Sequence, residues 1–205
     1  MLMKEEYKEI APGWLWQSNV TSDLMKYDEN YVKPYTKYDD TLSYIRLNFC
    51  QKYAKFYSVL DVGYGDGNFL KVCNREGYKC FGNDISGYSL SDGITFTENR
   101  NIPVDLVTFF DCIEHFPQEN VEEVLKELNC KYICISIPWC HFDNFEIWKH
   151  RKPNEHFHHF GVRGVTELLN RGGFDLIVSA SIEDQVRSNK GGIPNILTVI
   201  GKKRC

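Results

Sequence analysis

The sequence has no apolar run approaching the ~18 residues that a membrane-spanning helix needs, so no span is expected. Its opening, MLMKEEYKEI, carries acids where a secretory signal would have a basic segment and an apolar stretch. Positive charge is not in excess: 24 Lys and Arg against 28 Asp and Glu give a net charge of −4. That balance argues against a surface that holds a nucleic-acid backbone by charge. Internal repeats and low-complexity tracts are absent. Eight cysteines are present (50, 73, 80, 112, 130, 134, 140 and 205), yet none forms a CxxC pair. Several lie inside apolar, strand-like runs such as KYICISIP, so buried free thiols in a reducing, cytoplasmic setting are expected.

What remains is a chain of 205 residues, 42% hydrophobic and 25% charged, enough for one good core. Two textures divide it. Residues 1–56 are rich in aromatics and charge and show no clear strand. TLSYIRLNFCQKYAKF (41–56) places Leu42, Ile45, Phe49 and Tyr53 near helical spacing. This whole segment is expected to be helical and to serve as a lid or substrate wall. Tyr31, Tyr35 and Tyr38 would share one helical face, either over a site or against the sheet.

From residue 57 to 205, strand-like and helix-like runs alternate. YSVLDVG, YKCFGND, VDLVTFF, KYICISIP, FDLIVSAS and NILTVIGKK read as strands, with a short further one at Ile94 to Thr97. GNFLKVCNREG, QENVEEVLKELN and GVRGVTELLNRGG read as helices. The expectation is an α/β fold: a Rossmann-like, seven-stranded, mostly parallel sheet flanked by helices.

The first strand runs into DVGYGDG. Gly63, Gly65 and Gly67 let the backbone turn tightly and come close to a ligand, at the place where open α/β sheets bind one. The turn is not GxGxxG and lacks the Lys-Ser/Thr ending of a phosphate loop. Its Asp66 would repel a pyrophosphate but suits a cation. Asp84, at the tip of the second strand, stands where a carboxylate accepts hydrogen bonds from two ribose hydroxyls. Alternatively, it is a turn former.

VLDVGYGDGNF, GND, VDLVTFFDCIEHF and ICISIP, in that order, resemble the class I S-adenosylmethionine-dependent methyltransferases. The likeness runs from about residue 57 to the C-terminus. It implies S-adenosyl-L-methionine as cofactor, with Asp61, Gly63, Tyr64 and Gly65 beside its methionine part and Asp84 and Ile85 at its ribose. Phe110, Asp111 and Cys112 would line the sulfonium. Carboxylates and aromatic faces suit that cation. Only nineteen residues separate Asp84 from Val104, so the region that meets adenine is short, with Glu98 or Asn99 as candidate contacts.

After the fourth strand the chain reads FDCIEH, with neither the NPPY-like motif of adenine methyltransferases nor the Pro-Cys pair of cytosine-carbon ones. Nucleobase chemistry is therefore disfavoured. Cys140 in IPWCH reads as a packed thiol. The stretch PWCHFDNFEIWKHRKPNEHFHHF (138–160) holds five of the six histidines. It resembles a loop of small bacterial and phage methyltransferases, as does YDENYVKPYTKYDDT near the start.

These histidines have three readings: they tie the loop to the core, they act in acid–base chemistry, or Glu155, His156, His158 and His159 bind a metal. No second ligand pair with usual spacing appears elsewhere, so no metal is expected. His115 either faces the transferred methyl or packs a helix start. The resulting expectation is methyl transfer to an oxygen or nitrogen of a small-molecule or sugar-like acceptor, with a general base drawn from His115, His141 and His156. Two other readings stand beside it: a catalytically silent cofactor-binding or scaffold protein, and a nicotinamide-dependent oxidoreductase, which Asp66 and the GYGDG spacing disfavour.

Overall fold

A computed structural model describes residues 6–19, 40–187 and 192–204. Seven strands form the main sheet: β3 (Ser58–Val62), β4 (Lys79–Asn83), β5 (Ile94–Phe96), β6 (Val104–Phe110), β7 (Cys130–Pro138), β9 (Phe174–Ala180) and β10 (Ile196–Lys203). They lie in the order β5-β4-β3-β6-β7-β10-β9. Pairing is parallel from β5 through β7, and β10 runs antiparallel to both of its neighbours. The mostly parallel seven-stranded sheet is the one expected from the sequence.

The strand sequences explain their places. β6 sits near the middle of the sheet, and its VDLVTFF is buried at six of seven positions, as a strand covered on both faces must be. Period-two alternation along β3 sends Leu60 and Val62 into one core and Val59 into the other. The first core is closed by α3 (Glu122–Lys126) and α4 (Val162–Arg171), through Val124, Leu125, Val165, Leu168 and Leu169. The second is closed by α1 (Asp40–Tyr53) and α2 (Asn68–Arg75), through Leu47, Phe49, Cys50, Phe69, Leu70 and Val72. Strand order reverses between β3 and β6: β4 and β5 extend one way, and β6 restarts on the other side of β3. A crevice at such a reversal is where this kind of sheet binds ligands.

The N-terminal expectation needs correcting. α1 covers residues 41–53 of the helix read at 41–56, but two stretches within residues 7–17 are strand. β1 (Tyr7–Ala11) and β2 (Trp14–Gln17) form an antiparallel hairpin, and β2 pairs in turn with β8 (His158–Phe160) to give a separate three-stranded sheet. Trp14 is wholly buried in the core beneath α4. The hairpin turn meets α4 at very close range: a Cβ on Gly164 would lie 2.0 Å from the Gly13 carbonyl oxygen. Any larger residue there would push the two elements apart. The tyrosine face at 31, 35 and 38 lies outside the described residues.

All seven cysteines among the described residues are free thiols, six of them buried. Cys140 is packed as expected, and burial pushes its thiol up to about 12. No described helix is long and apolar enough to cross a membrane.

Candidate active site

Beyond the carboxyl ends of β3 and β6 lies a cavity of about 330 Å³. One wall is the glycine turn. Gly63, Gly65 and Gly67 have φ of +76°, +55° and +71°, a region that disfavours side chains. At Gly63 the close approach is also steric, since an added Cβ would fall 2.5 Å from Cys112 Sγ. At Gly65 nothing of the protein lies within 4 Å of such a Cβ, so the turn borders open space. Asp84 braces it. One carboxylate oxygen accepts the Gly65 amide at 2.9 Å, and the other accepts the Ser86 amide at 2.7 Å and its hydroxyl at 2.6 Å.

The floor is a carboxyl under tension. Asp61 is 2% exposed, and burial pushes it up to about 7, against the pull of the Thr108 hydroxyl that donates to it at 2.6 Å and of Arg46. Asp84 and Asp66, both facing it, raise it further. Beside it stands an ion network that sequence reading missed. The Arg46 guanidinium meets Glu183 at 2.7 and 3.1 Å and Asp111 at 3.0 Å, and it lies 4.3 Å over the Phe110 ring. Arg187 closes the square, at 2.5 Å from Asp111 and 2.9 Å from Glu183. Burial opposes the charge on Asp111, but Arg187 and Arg46 outweigh it and hold the carboxyl well below the usual range. Asp111 also has a φ of +51°, an uncommon conformation for a non-glycine residue.

Histidines stand at the turn after β6 and behind it. The turn Ile113–His115 follows β6, and His115 reaches the cavity wall. Burial lowers His115 to about 4. His156 packs edge-on against it at 4.7 Å, and burial, aided by His115 and Lys152, lowers it to about 2. Both are neutral imidazoles at physiological pH. Glu114, 1% exposed, is pushed well up by burial and by Asp111, and neither of its carboxyl oxygens has a hydrogen-bond partner.

The nine residues expected at the cofactor all border this one cavity: Asp61, Gly63, Tyr64, Gly65, Asp84, Ile85, Phe110, Asp111 and Cys112. Two details differ from expectation. Asp111 spends its carboxylate on the two arginines, and Arg46 occupies a face of Phe110. Of the three candidate bases only His115 lines the cavity. His141 meets the Pro194 carbonyl at 2.9 Å, and His156 meets the His150 carbonyl at 2.9 Å.

The metal set read from sequence is not assembled either. His158 takes the Trp14 indole N–H at 3.0 Å and meets the Gln118 carbonyl at 3.0 Å, while His159 packs among Tyr7, Phe145 and Trp148. Glu98 and Asn99 are not among the lining residues, whereas Ile85, Arg100 and Phe116 are.

Fold and cavity together define an α/β protein of the methyltransferase type, and comparison with known proteins agrees. A crystal structure of a SAM-dependent methyltransferase from Archaeoglobus fulgidus is 22% identical, with a TM-score of 0.60 over 86% of this chain and 100% of that one. One from Clostridium acetobutylicum is 11% identical, with a TM-score of 0.61 over 84% and 95%. A third is the Burkholderia thailandensis 1,6-didemethyltoxoflavin-N1-methyltransferase, with 1,6-didemethyltoxoflavin and S-adenosylhomocysteine bound. It is 12% identical, with a TM-score of 0.60 over 98% and 100%. A search of curated proteins gave no match. The family described as a methyltransferase domain matches residues 36–179, and the chain belongs to that family.

Proposed function

We propose that this methyltransferase takes its methyl group from S-adenosyl-L-methionine and transfers it to an oxygen or nitrogen of a small-molecule or sugar-like acceptor. The observation that carries the reading is the bare backbone of the glycine turn, braced by Asp84 and bordering open space. The residues fit the donor. Asp84, which accepts from the Gly65 amide and from Ser86, keeps acceptor capacity for a ribose hydroxyl, Ile85 offers a largely exposed apolar side chain to the nucleoside, and Asp61 and Asp66 favour a cation. When bound, the donor supplies an electrophilic methyl group.

The chain's own work is alignment and protection of the reacting atoms. Arg46 and Arg187 fix Asp111 at the end of β6, and the β6–Ile113 turn fixes His115 beside the acceptor space. The Burkholderia enzyme holds a small heterocycle, which supports a small-molecule acceptor here. The test is incubation of a metabolite extract with isotopically labelled donor, followed by mass identification of what gains a methyl. Label is expected in a small-molecule product. Binding of S-adenosylhomocysteine with no labelled product would favour a silent scaffold.

The Asp61 carboxyl adds a pH signature. A cationic donor favours the carboxylate, so binding releases a proton wherever the free protein holds one there. With the carboxyl near 7, donor affinity is expected to rise with pH up to about 7 and then level off. Burial sets the midpoint first, Thr108 and Arg46 pull it down, and Asp84 and Asp66 push it up. Titration calorimetry in buffers of different ionisation heat measures the released proton, and Asp61→Asn should abolish the slope. A flat profile in the wild type would remove this role from Asp61.

A further inference from the structure

Glu114 presents an energetic problem that the cofactor site does not solve. A carboxyl buried to 1% exposure, with both oxygens lacking a hydrogen-bond partner, costs stability unless something else compensates it. Two imidazoles converge on it from different parts of the chain. His115 follows it in the turn after β6, and His156 arrives from the loop before β8. One possible ligand atom from each of the three lies within 4.8 Å of the others.

We propose that Glu114, His115 and His156 form a divalent-cation site at the acceptor side of the cavity, which takes a hydroxyl oxygen of the acceptor as a further ligand. The site itself stands on geometry; its use on an acceptor rests on the methyltransferase reading above.

The supports of the two rings are those of metal-binding histidines. The His156 Nδ1 meets the His150 carbonyl at 2.9 Å, which fixes that nitrogen as the donor and leaves Nε2 with its lone pair. The backbone of Glu155 stands against the His115 ring. A second carboxylate stands just outside, with Glu155 Oε1 3.7 Å from His156 Nε2 and tethered to Lys152 at 2.7 Å.

Two nitrogens and one carboxylate oxygen suit zinc, manganese or ferrous iron better than calcium or magnesium, which prefer oxygen sets. Three protein ligands leave coordination positions open. His115 belongs to the cavity wall, and it is the ligand that ties such an ion to the cavity.

The chemistry gains what the histidines alone lack. A bound cation makes a coordinated hydroxyl more acidic, which a neutral ring does not do. The acceptor oxygen loses its proton to water and forms the new O–C bond with its electron pair. The donor sulfur keeps the pair of the breaking C–S bond. No oxidant or reductant is needed.

The test uses the full chain, stripped with a chelator and dialysed. Cobalt(II) is titrated and followed by its visible absorption, and zinc content is measured by elemental mass spectrometry after reloading. One ion per chain is expected, with affinity weakened at least about tenfold in both Glu114→Gln and His156→Gln. Circular dichroism verifies that each variant is folded, and Glu114→Gln keeps the side-chain shape should His156→Gln fail. Absence of a tight ion in the wild type, or equal affinity in the folded variants, overturns the site. S-adenosylhomocysteine binding is measured on the same stripped wild type. Should the ion test fail, persistent binding means that only the cation site falls, and absent binding means that the cofactor reading falls with it.

Discussion

Asp84→Ala is expected to weaken S-adenosylhomocysteine binding by about a hundredfold, close to 3 kcal/mol. The substitution removes two things together. It takes away the carboxylate oxygens that would accept the ribose hydroxyls, and hydrogen bonds to a charged acceptor are the stronger kind. It also releases the Gly65 amide and the Ser86 amide and hydroxyl, which Asp84 holds at 2.6 to 2.9 Å. The glycine turn then loses its brace against a conformation in which Gly65 has a φ of +55°. Asp84→Asn should fall between the two, since an amide keeps one acceptor and loses the charge. Calorimetric titration measures the difference. An unchanged affinity in a folded Asp84→Ala protein would reduce Asp84 to a turn former and remove the main support for the cofactor assignment.

Arg46→Leu is expected to cost about 3–5 kcal/mol of folding stability, read from the urea midpoint. Glu183 is completely buried, and Arg46 supplies it with two hydrogen bonds while a third goes to Asp111. Deleting the guanidinium leaves two acids facing Arg187 alone, so uncompensated charge stays in a dry place. The double variant Arg46→Leu, Glu183→Leu removes one charge of each sign and leaves the Asp111–Arg187 pair balanced. It should lose less than Arg46→Leu alone. A single-variant loss below about 1 kcal/mol would mean that the network is solvated and behaves as surface pairs do.

The contrast between these two residues shows what was legible in the sequence. Asp84 declares itself locally, because it ends a strand a fixed distance after a glycine turn. The long strands do likewise, since VDLVTFF and CKYICISIP are apolar runs of strand length. Arg46 carries no such signal. On an amphipathic helix a lone arginine reads as surface, and it is buried only because Glu183 arrives 137 residues later. The hairpin was missed for a related reason. YKEIA, WLWQ and HHF are each five residues or fewer, too short to show a period of two, and they become strands by pairing with one another. The histidine loop was recognised as chemically loaded, but its rings could not be sorted. His158 is taken by Trp14, and His156 turns instead toward His115, a choice made by tertiary contacts alone.

The small sheet has a consequence for how the molecule comes into being. Trp14 finds its hydrogen-bond partner 144 residues further along the chain. A nascent polypeptide leaving the ribosome therefore carries an apolar hairpin with no third strand until His158 to Phe160 has emerged, by which time the glycine turn and β3 through β7 are already available to fold. Closing so long a loop is entropically slow. The glycine-turn half of the site is set to mature first, and the histidine half is sealed late, when residues 14–16 meet residues 158–160.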